Sequence, residues 1–435
     1  MNNTIVTLKK GEGRTIKAGG AWIYDNEIES ITGSFKNGEI VSVHDFDGYP
    51  MGKGFINQNS KIRIRMMTRK SEQEVDEEFL RERIKRAWDY RKSVVKSSED
   101  LNAIRVIFGE ADFLPGLVVD KYADVLVVEC LALGMELLKK EILTYLIDIM
   151  GSDGFSVRAV FERNDAPVRK KEGLFPYKGL LYLDGKWLSD LSDVEAEQIQ
   201  NDFEPKVEII ENGVHYVVDV KNGQKTGFFL DQKYNRLAMQ NLCNKLVDCD
   251  ENIGGRGTLK ALDCFTHMGT FALNMGLGGA TDVTGLDISE FAVQQATENA
   301  ELNDLGDKVR FRTANVLDEL PKLVSEGKLY DVVVVDPPAF TKSREATKNA
   351  IKGYREVNMK GLKLVRDGGY YATCSCSHFM TEELLKKTVK EAAKAVHKRL
   401  RQVEFKTQAP DHPILWAADE SYYLKFMIFQ ICEEK

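Results

Sequence analysis

The sequence predicts an α/β protein whose larger carboxyl-terminal part is doubly wound and follows smaller, strand-rich parts. Three observations carry this expectation. From about residue 200 onward, apolar runs of strand length alternate with helical patterns. One of those runs, Val332-Val333-Val334-Val335, is four β-branched residues in a row, as in a strand buried on both faces. A chain of 435 residues is also too long for one core, so two or three domains are expected.

The first part, about residues 1–75, is rich in glycine and turn residues. Its alternating runs Glu39 to Val43 and Lys61 to Met66 read as strands with one polar face. In the second run that face carries lysine and arginine, which suits phosphate contact or simply solvent. A charged helix is expected near Glu77 to Lys96, with Phe79, Leu80, Ile84, Ala87 and Trp88 at helical spacing. Val125 to Leu133 and Leu180 to Leu183 read as strands, and Glu136 to Met150 as a helix. The segment Glu162 to Gly173 is polar and leans basic. Gly223 to Gln232 reads as a loop entering a helix, with Asp231 a possible cap. There is no internal repeat and no low-complexity tract.

Composition narrows the class. No stretch of about 20 apolar residues is present, so no membrane span is expected, and the amino terminus lacks the pattern of a secretory signal. Seven cysteines without a CxxC pair argue against a zinc site and a disulfide framework, and fit a reducing cytoplasm. The net charge of -7 counts against a nonspecific nucleic-acid coat but allows a local basic face.

The chemistry gathers at strand ends. Leu259 to Phe265 reads as the first buried strand of the doubly wound part, and Thr266-His267-Met268-Gly269 as its turn into a helix near Thr270. The glycine lets backbone approach a ligand, and a helix amino terminus offers free N–H groups. About 20 residues on, Val283 to Asp287 ends in an acid that can accept both hydroxyls of an adenosine ribose. The turn is too sparse in glycine for a pyrophosphate grip, which favours S-adenosylmethionine over a nicotinamide cofactor. Val309 to Val316 reads as a third strand, placing Asn315 at the adenine edge or in a turn or helix cap. Val332 to Val335 is the fourth, and Asp336-Pro337-Pro338-Ala339-Phe340 follows it. An acid there sits where α/β sheets bind ligands, and the prolines stiffen its loop. The pattern resembles the substrate-base motif of S-adenosylmethionine-dependent methyltransferases acting on nucleic acid bases.

Gly369 to His378 reads as the neighbouring strand, ending in a loop with Cys374 and Cys376. Carbon 5 of cytosine takes a methyl group only after a thiolate adds at carbon 6, and a cysteine beside the Asp-Pro-Pro loop suits that step. Alternation puts both cysteines on one side, so periodicity does not choose between them. His267 and His378 read as loop or packing residues.

Together these residues resemble the bacterial large-subunit ribosomal RNA cytosine-C5 methyltransferase family that carries an amino-terminal PUA domain. The matching segments also include Gly109 to Asp120, Glu162 to Gly173 and Lys225 to Gln232, so the resemblance spans nearly the whole chain. It implies a PUA β-barrel at 1–75, a small central α/β domain at 76–190, and a Rossmann-like class I methyltransferase domain at 191–435. It implies Cys376 as nucleophile, with Asp336, Pro337, Pro338 and Phe340 holding a flipped base. Phe229, Gln232, Asp263, Phe265, Thr266, Gly269, Asp287, Asn315 and Asp336 would hold S-adenosylmethionine. Large-subunit ribosomal RNA is the implied partner, and a homodimer is compatible. The chain departs from the pattern at Asn315, where aspartate is frequent. Pro338-Ala339 also lacks the thiol that related enzymes use to release product, so the base that removes the carbon 5 proton has no assigned residue. Cys374 and water are the candidates. An exocyclic-amine methyltransferase (guanine N2 or adenine N6) and a non-catalytic ribosome assembly factor are the rival readings.

Overall fold

The computed structural model describes residues 4–249, 257–341 and 345–432. Its internal contacts divide the chain into two compact units. One comprises Met1–Ile209, Val218–Leu230 and Pro410–Ser421; the other comprises Ile210–Val217, Asp231–Ala409 and Tyr422–Lys435.

The first unit contains two six-stranded sheets. Strands β1 (Ile5–Leu8), β2 (Trp22–Tyr24), β3 (Ile28–Thr32), β4 (Ile40–His44), β5 (Pro50–Ile56) and β6 (Ile62–Thr68) form one, in the order β2-β6-β5-β4-β1-β3. Only the β1–β4 pairing is parallel. Its core is Val6, Leu8, Ile23, Val41, Val43, Ile56 and Ile64. The second sheet holds β7 (Ala103–Phe108), β8 (Leu117–Tyr122), β9 (Val125–Cys130), β10 (Ala159–Asn164), β11 (Tyr177–Leu183) and β12 (Lys186–Trp187), laid down in sequence order. After the four-residue helix α1 (Arg14–Lys17), two long helices serve it. Helix α2 (Glu77–Val94) is capped by Asp76, which accepts from the Phe79 amide at 2.9 Å, and it buries the five apolar residues expected. Helix α3 (Leu133–Ser152) crosses between the parallel pair β9 and β10.

Two expectations are corrected here, and a third segment lies deeper than its polarity suggests. The Val125 strand ends at Cys130, because helix α3 already begins at Leu133. The basic face of β6 is not a free surface: Arg65 is buried, 3.2 Å from Glu110 and 3.1 Å from Glu172. The polar Glu162 to Gly173 segment also turns inward. Glu162, Arg163, Asn164, Arg169 and Glu172 are all buried, and Arg169 pairs with Glu136 at 3.0 Å.

A groove of about 640 Å³ also lies in this unit. Arg69, Lys70 and Arg83 line it beside Phe113, which is half exposed. Phe113 adopts a left-handed backbone (φ 59°), and the Arg83 guanidinium sits 5.0 Å from its ring centroid.

Helix α4 (Asp193–Asp202) and the hairpin β13 (Lys206–Glu211) and β14 (Val214–Asp219) lead on to helix α5 (Lys233–Cys249). The second unit is built on a seven-stranded sheet. Its strands are β15 (Lys260–Cys264), β16 (Asp282–Asp287), β17 (Val309–Thr313), β18 (Tyr330–Val335), β19 (Val365–Ser375), β20 (Arg399–Lys406) and β21 (Lys425–Cys432), in the order β17-β16-β15-β18-β19-β21-β20. The first five pair in parallel, and β21 runs antiparallel between β19 and β20. Helices α6 (Thr270–Leu277), α7 (Glu290–Leu302), α8 (Val316–Ser325), α9 (Thr347–Lys363) and α10 (Glu382–Ala395) complete the alternation. Strand β17 stops at Thr313 rather than Val316, because Asn315 caps α8 by accepting from the Leu317 amide at 3.1 Å. This is a Rossmann-like doubly wound fold. Strand order reverses between β15 and its neighbours β16 and β18, so the ligand crevice lies beyond their carboxyl ends.

Candidate active site

Three of the strand-end acids identified in the sequence meet at that crevice. Asp263 lies within β15, Asp287 ends β16 and Asp336 follows β18, whose last residue pairs with Cys264. Asp263 is fully buried; its Oδ2 accepts from the Thr266 hydroxyl and, at 3.0 Å, from the Ala272 amide. Its Oδ1 has no hydrogen-bond partner among the described residues. Asp287 accepts from the backbone amides of His267 and Ser289, both at 2.9 Å. Burial pushes Asp263 up to about 7, and Asp336 and Asp287 add repulsion of their own. Burial likewise pushes Asp336 up to about 6, against the pull of the bond from Cys374.

The turn holding these acids is tightly built. Phe265 and His267 both adopt positive φ (66° and 53°). Gly269, at φ 83°, begins α6, and a Cβ there would lie 2.6 Å from the Phe311 ring. A side chain at 269 would fail on both counts.

The structure separates the two cysteines by environment. Cys374 is buried in β19, and its thiol donates to Asp336 Oδ1 at 2.9 Å. Gln232 Nε2 donates to Asp336 Oδ2 at 3.0 Å and approaches the Cys374 sulfur at 3.6 Å, while its Oε1 accepts from Asn235 at 2.6 Å. Burial pushes the Cys374 thiol well above the usual range, and Asp336 reinforces that shift. Cys376 lies one residue past the end of β19 and is partly exposed.

The remaining expected residues scatter more. Pro337 is buried and Pro338 exposed. Phe340 packs edge-on against Tyr354, with centroids 4.8 Å apart. Asn315 is exposed, and its amide donates to Asp318 at 2.8 Å, so the helix-cap reading is the one observed. Phe229 belongs to the first unit, where the Lys225 ammonium stands 4.5 Å from its ring. Asp231 is buried and accepts from the Tyr423 hydroxyl at 2.8 Å, a pairing no local pattern reveals. Sequence reasoning also missed Lys425, a single lysine opening the apolar run of β21.

The donor set suits a cationic nucleoside ligand. Asp263, Asp287 and Asp336 crowd one crevice, and among the described residues none of them forms an ion pair. S-adenosylmethionine carries a sulfonium and an ammonium that would relieve their repulsion, and ribose hydroxyls suit Asp287.

Comparison with known proteins decides the family. Residues 190–429 match the S-adenosylmethionine-dependent methyltransferase family and residues 6–69 a PUA-like domain. Over 429 residues the chain is 35% identical to ribosomal RNA large subunit methyltransferase I of Shewanella frigidimarina, covering 98% of this chain and 99% of that one. The chain belongs to the ribosomal RNA large subunit methyltransferase I family. Members from Shewanella denitrificans and Pseudoalteromonas translucida are 34% and 33% identical, at 98% and 99% coverage of the two chains in each case. Its fold is shared with a candidate SAM-dependent methyltransferase from Streptococcus mutans (TM-score 0.75, 18% identity, covering 98% of this chain and 99% of that one). A second candidate methyltransferase, complexed with SAH, matches equally well (TM-score 0.75, 18% identity, 99% and 100% coverage). As a family member, the chain is an S-adenosylmethionine-dependent methyltransferase with an amino-terminal PUA-like domain.

Proposed function

We propose that this enzyme methylates carbon 5 of a cytosine in large-subunit ribosomal RNA, with Cys376 as the nucleophile. The carrying observation is the contrast between the cysteines. Cys374 is kept as a thiol by its bond to a buried carboxylate, whereas Cys376 lies beyond the strand and is reachable. The printed names of the relatives supply the RNA class.

In this reading the Cys376 thiolate bonds carbon 6 of the flipped base, and the carbon 5–carbon 6 π pair becomes available at carbon 5. Asp336, at a pKa of about 6, can donate a proton to ring nitrogen 3 and accept from the exocyclic amine. When bound, S-adenosylmethionine supplies an electrophilic methyl group. Loss of the carbon 5 proton to water, return of the ring-nitrogen proton to Asp336 and cleavage of the sulfur–carbon 6 bond then restore the thiolate. A thiol held protonated is a poor base, which favours water over Cys374 for that proton. Asp263, Phe265, Thr266, Gly269, Asp287 and Asn315 would hold the cofactor, Gln232 would orient Asp336, and Pro337, Pro338 and Phe340 would shape the base pocket.

The domain division 1–75, 76–190 and 191–435 is part of the proposal. It is supported by sheets spanning Ile5–Thr68 and Ala103–Trp187 and by the two family matches. RNA contact at the first-unit groove is supported by Arg69, Lys70 and Arg83, which form no ion pair among the described residues, and by the exposed phenylalanine.

The test incubates wild type, Cys374→Ala and Cys376→Ala with S-adenosylmethionine and 5-fluorocytidine-substituted ribosomal RNA on a denaturing gel. A covalent adduct lost only in Cys376→Ala is expected. No adduct, with methyl incorporation into ordinary RNA surviving Cys376→Ala, would instead point to amine methylation. Absence of S-adenosylmethionine binding would point to an assembly factor.

A further inference from the structure

Lys425 opens β21 and is only 1% exposed. Its ammonium donates to the carbonyl oxygen of Ser377 at 2.7 Å and to that of Tyr423 at 2.9 Å, and the Tyr422 ring lies 5.4 Å away. Among the described residues it makes no ion pair. Arg236, another deeply buried cation of this unit, is matched by Glu211 at 2.6 and 2.8 Å. A buried ammonium whose hydrogen bonds go only to neutral carbonyls is costly, and Glu382, the carboxylate that acts on it, is already engaged by Lys386 and the Tyr422 hydroxyl, so a further anion nearby would stabilise it.

The register shows where that anion would be. Lys425 pairs across the sheet with Ser375, the residue before Cys376, and its ammonium bonds the carbonyl of Ser377, the residue after it. Lys425 is therefore tied to both flanks of Cys376, by its strand pairing with Ser375 on one side and by its ammonium on Ser377 on the other.

We infer that Lys425 is a positioning residue that favours the thiolate form of Cys376 and fixes the loop carrying it. This rests on the reading of Cys376 as nucleophile. Burial lowers the Lys425 ammonium to about 8, while Cys376 and then Glu382 pull it the other way. Lys425 thus stays cationic at neutral pH, and the attraction is mutual. The other titratable groups facing this corner are accounted for. Glu382 on α10 is engaged by Lys386 and by the Tyr422 hydroxyl at 3.1 Å. Tyr354 on α9 meets the Ser375 hydroxyl at 2.9 Å, and Cys374 is bonded to Asp336.

The Cys376 proton leaves to solvent while Lys425 keeps its own, giving an ammonium–thiolate pair. A thiol pKa one unit below the ordinary value of about 8.5 raises the thiolate fraction at pH 7 about eightfold. The same shift weakens nucleophilicity only about threefold, so addition gains, and the sulfur also leaves more readily when product is released.

The experiment titrates Cys376 in the full-length protein by iodoacetamide labelling from pH 6 to 10, with the labelled peptide quantified by mass spectrometry. Wild type is expected to titrate below about 8.5. In Lys425→Met the midpoint should rise by a unit or more, and Lys425→Arg should lie nearer wild type. Adduct formation with 5-fluorocytidine RNA should fall about threefold or more at pH 7 in Lys425→Met and recover at pH 9, which a merely structural defect would not do. A wild-type thiol titrating at or above the ordinary value overturns the inference without any variant, as does an unmoved midpoint in Lys425→Met. An adduct that survives Cys376→Ala, with the titration still shifting, overturns the nucleophile reading instead and leaves only the charge pairing.

Discussion

Asp263 carries a conflict between its charge and its burial. Its folded pKa of about 7 lies above the ordinary carboxylate value, so the folded state binds more protons than the unfolded chain from about pH 4 to pH 7. Its contribution to stability is therefore present at low pH and lost as pH rises through that window. In ligand-free protein, Asp263→Asn should raise the thermal midpoint at pH 8, by on the order of 2 kcal/mol in stability, and change little near pH 4. Scanning calorimetry at the two pH values checks this, and titration with S-adenosylmethionine should show weakened binding in the same variant. The positions of Asp287 and Asp336 were legible from the sequence because each ends or follows an apolar run, whereas Asp263, inside its strand, was pointed to only by the family resemblance. The difference between Cys374 and Cys376 was not. It depends on where β19 stops and on Asp336 arriving from another strand, and alternation encodes neither.

At the scale of elements, the strands and helices of the second unit follow their apolar periodicity, and the misplaced boundaries share one cause. The helix start at Leu133 continues the run Leu131-Ala132-Leu133 without a break, and that at Val316 continues a polar–apolar alternation through Ala314 and Asn315, so the strand pattern reads through both. The turn from β15 into α6 is more constrained. Gly269→Ala must tolerate both a left-handed backbone and a 2.6 Å approach to Phe311. The substitution should cost about 1–3 kcal/mol and weaken S-adenosylmethionine binding, measured by thermal shift with and without ligand. Lys425 escaped the sequence reading for a related reason. One lysine beside a buried strand looks like a solvated end until the register places Ser375 opposite it.

At the scale of the molecule, a net charge of -7 means that affinity for RNA must come from local cations rather than the overall field. Arg83→Ala should lower RNA affinity across sequences and reduce the slope of log K against log salt by about one, measured by filter binding. Arg65 was read as a possible phosphate contact, but the fold uses it to neutralise Glu110 and Glu172 within the first unit. Arg65→Met leaves the buried Glu172 and the partly exposed Glu110 without their cation, each keeping only neutral donors, and should destabilise by about 3 kcal/mol, with Glu110→Gln and Glu172→Gln together restoring much of it. Calorimetric midpoints of the single and triple variants check this.

Strand β21 is made after the other six strands of its sheet, yet it lies inside the sheet rather than at an edge. A nascent chain on the ribosome therefore carries β19 with one side unpaired until Lys425–Cys432 has emerged. The same late segment brings the ammonium to Cys376. In the proposed reading of Lys425 and Cys376, an unfinished chain lacks the ammonium partner of its thiol, and that pairing arrives with the closing of the sheet.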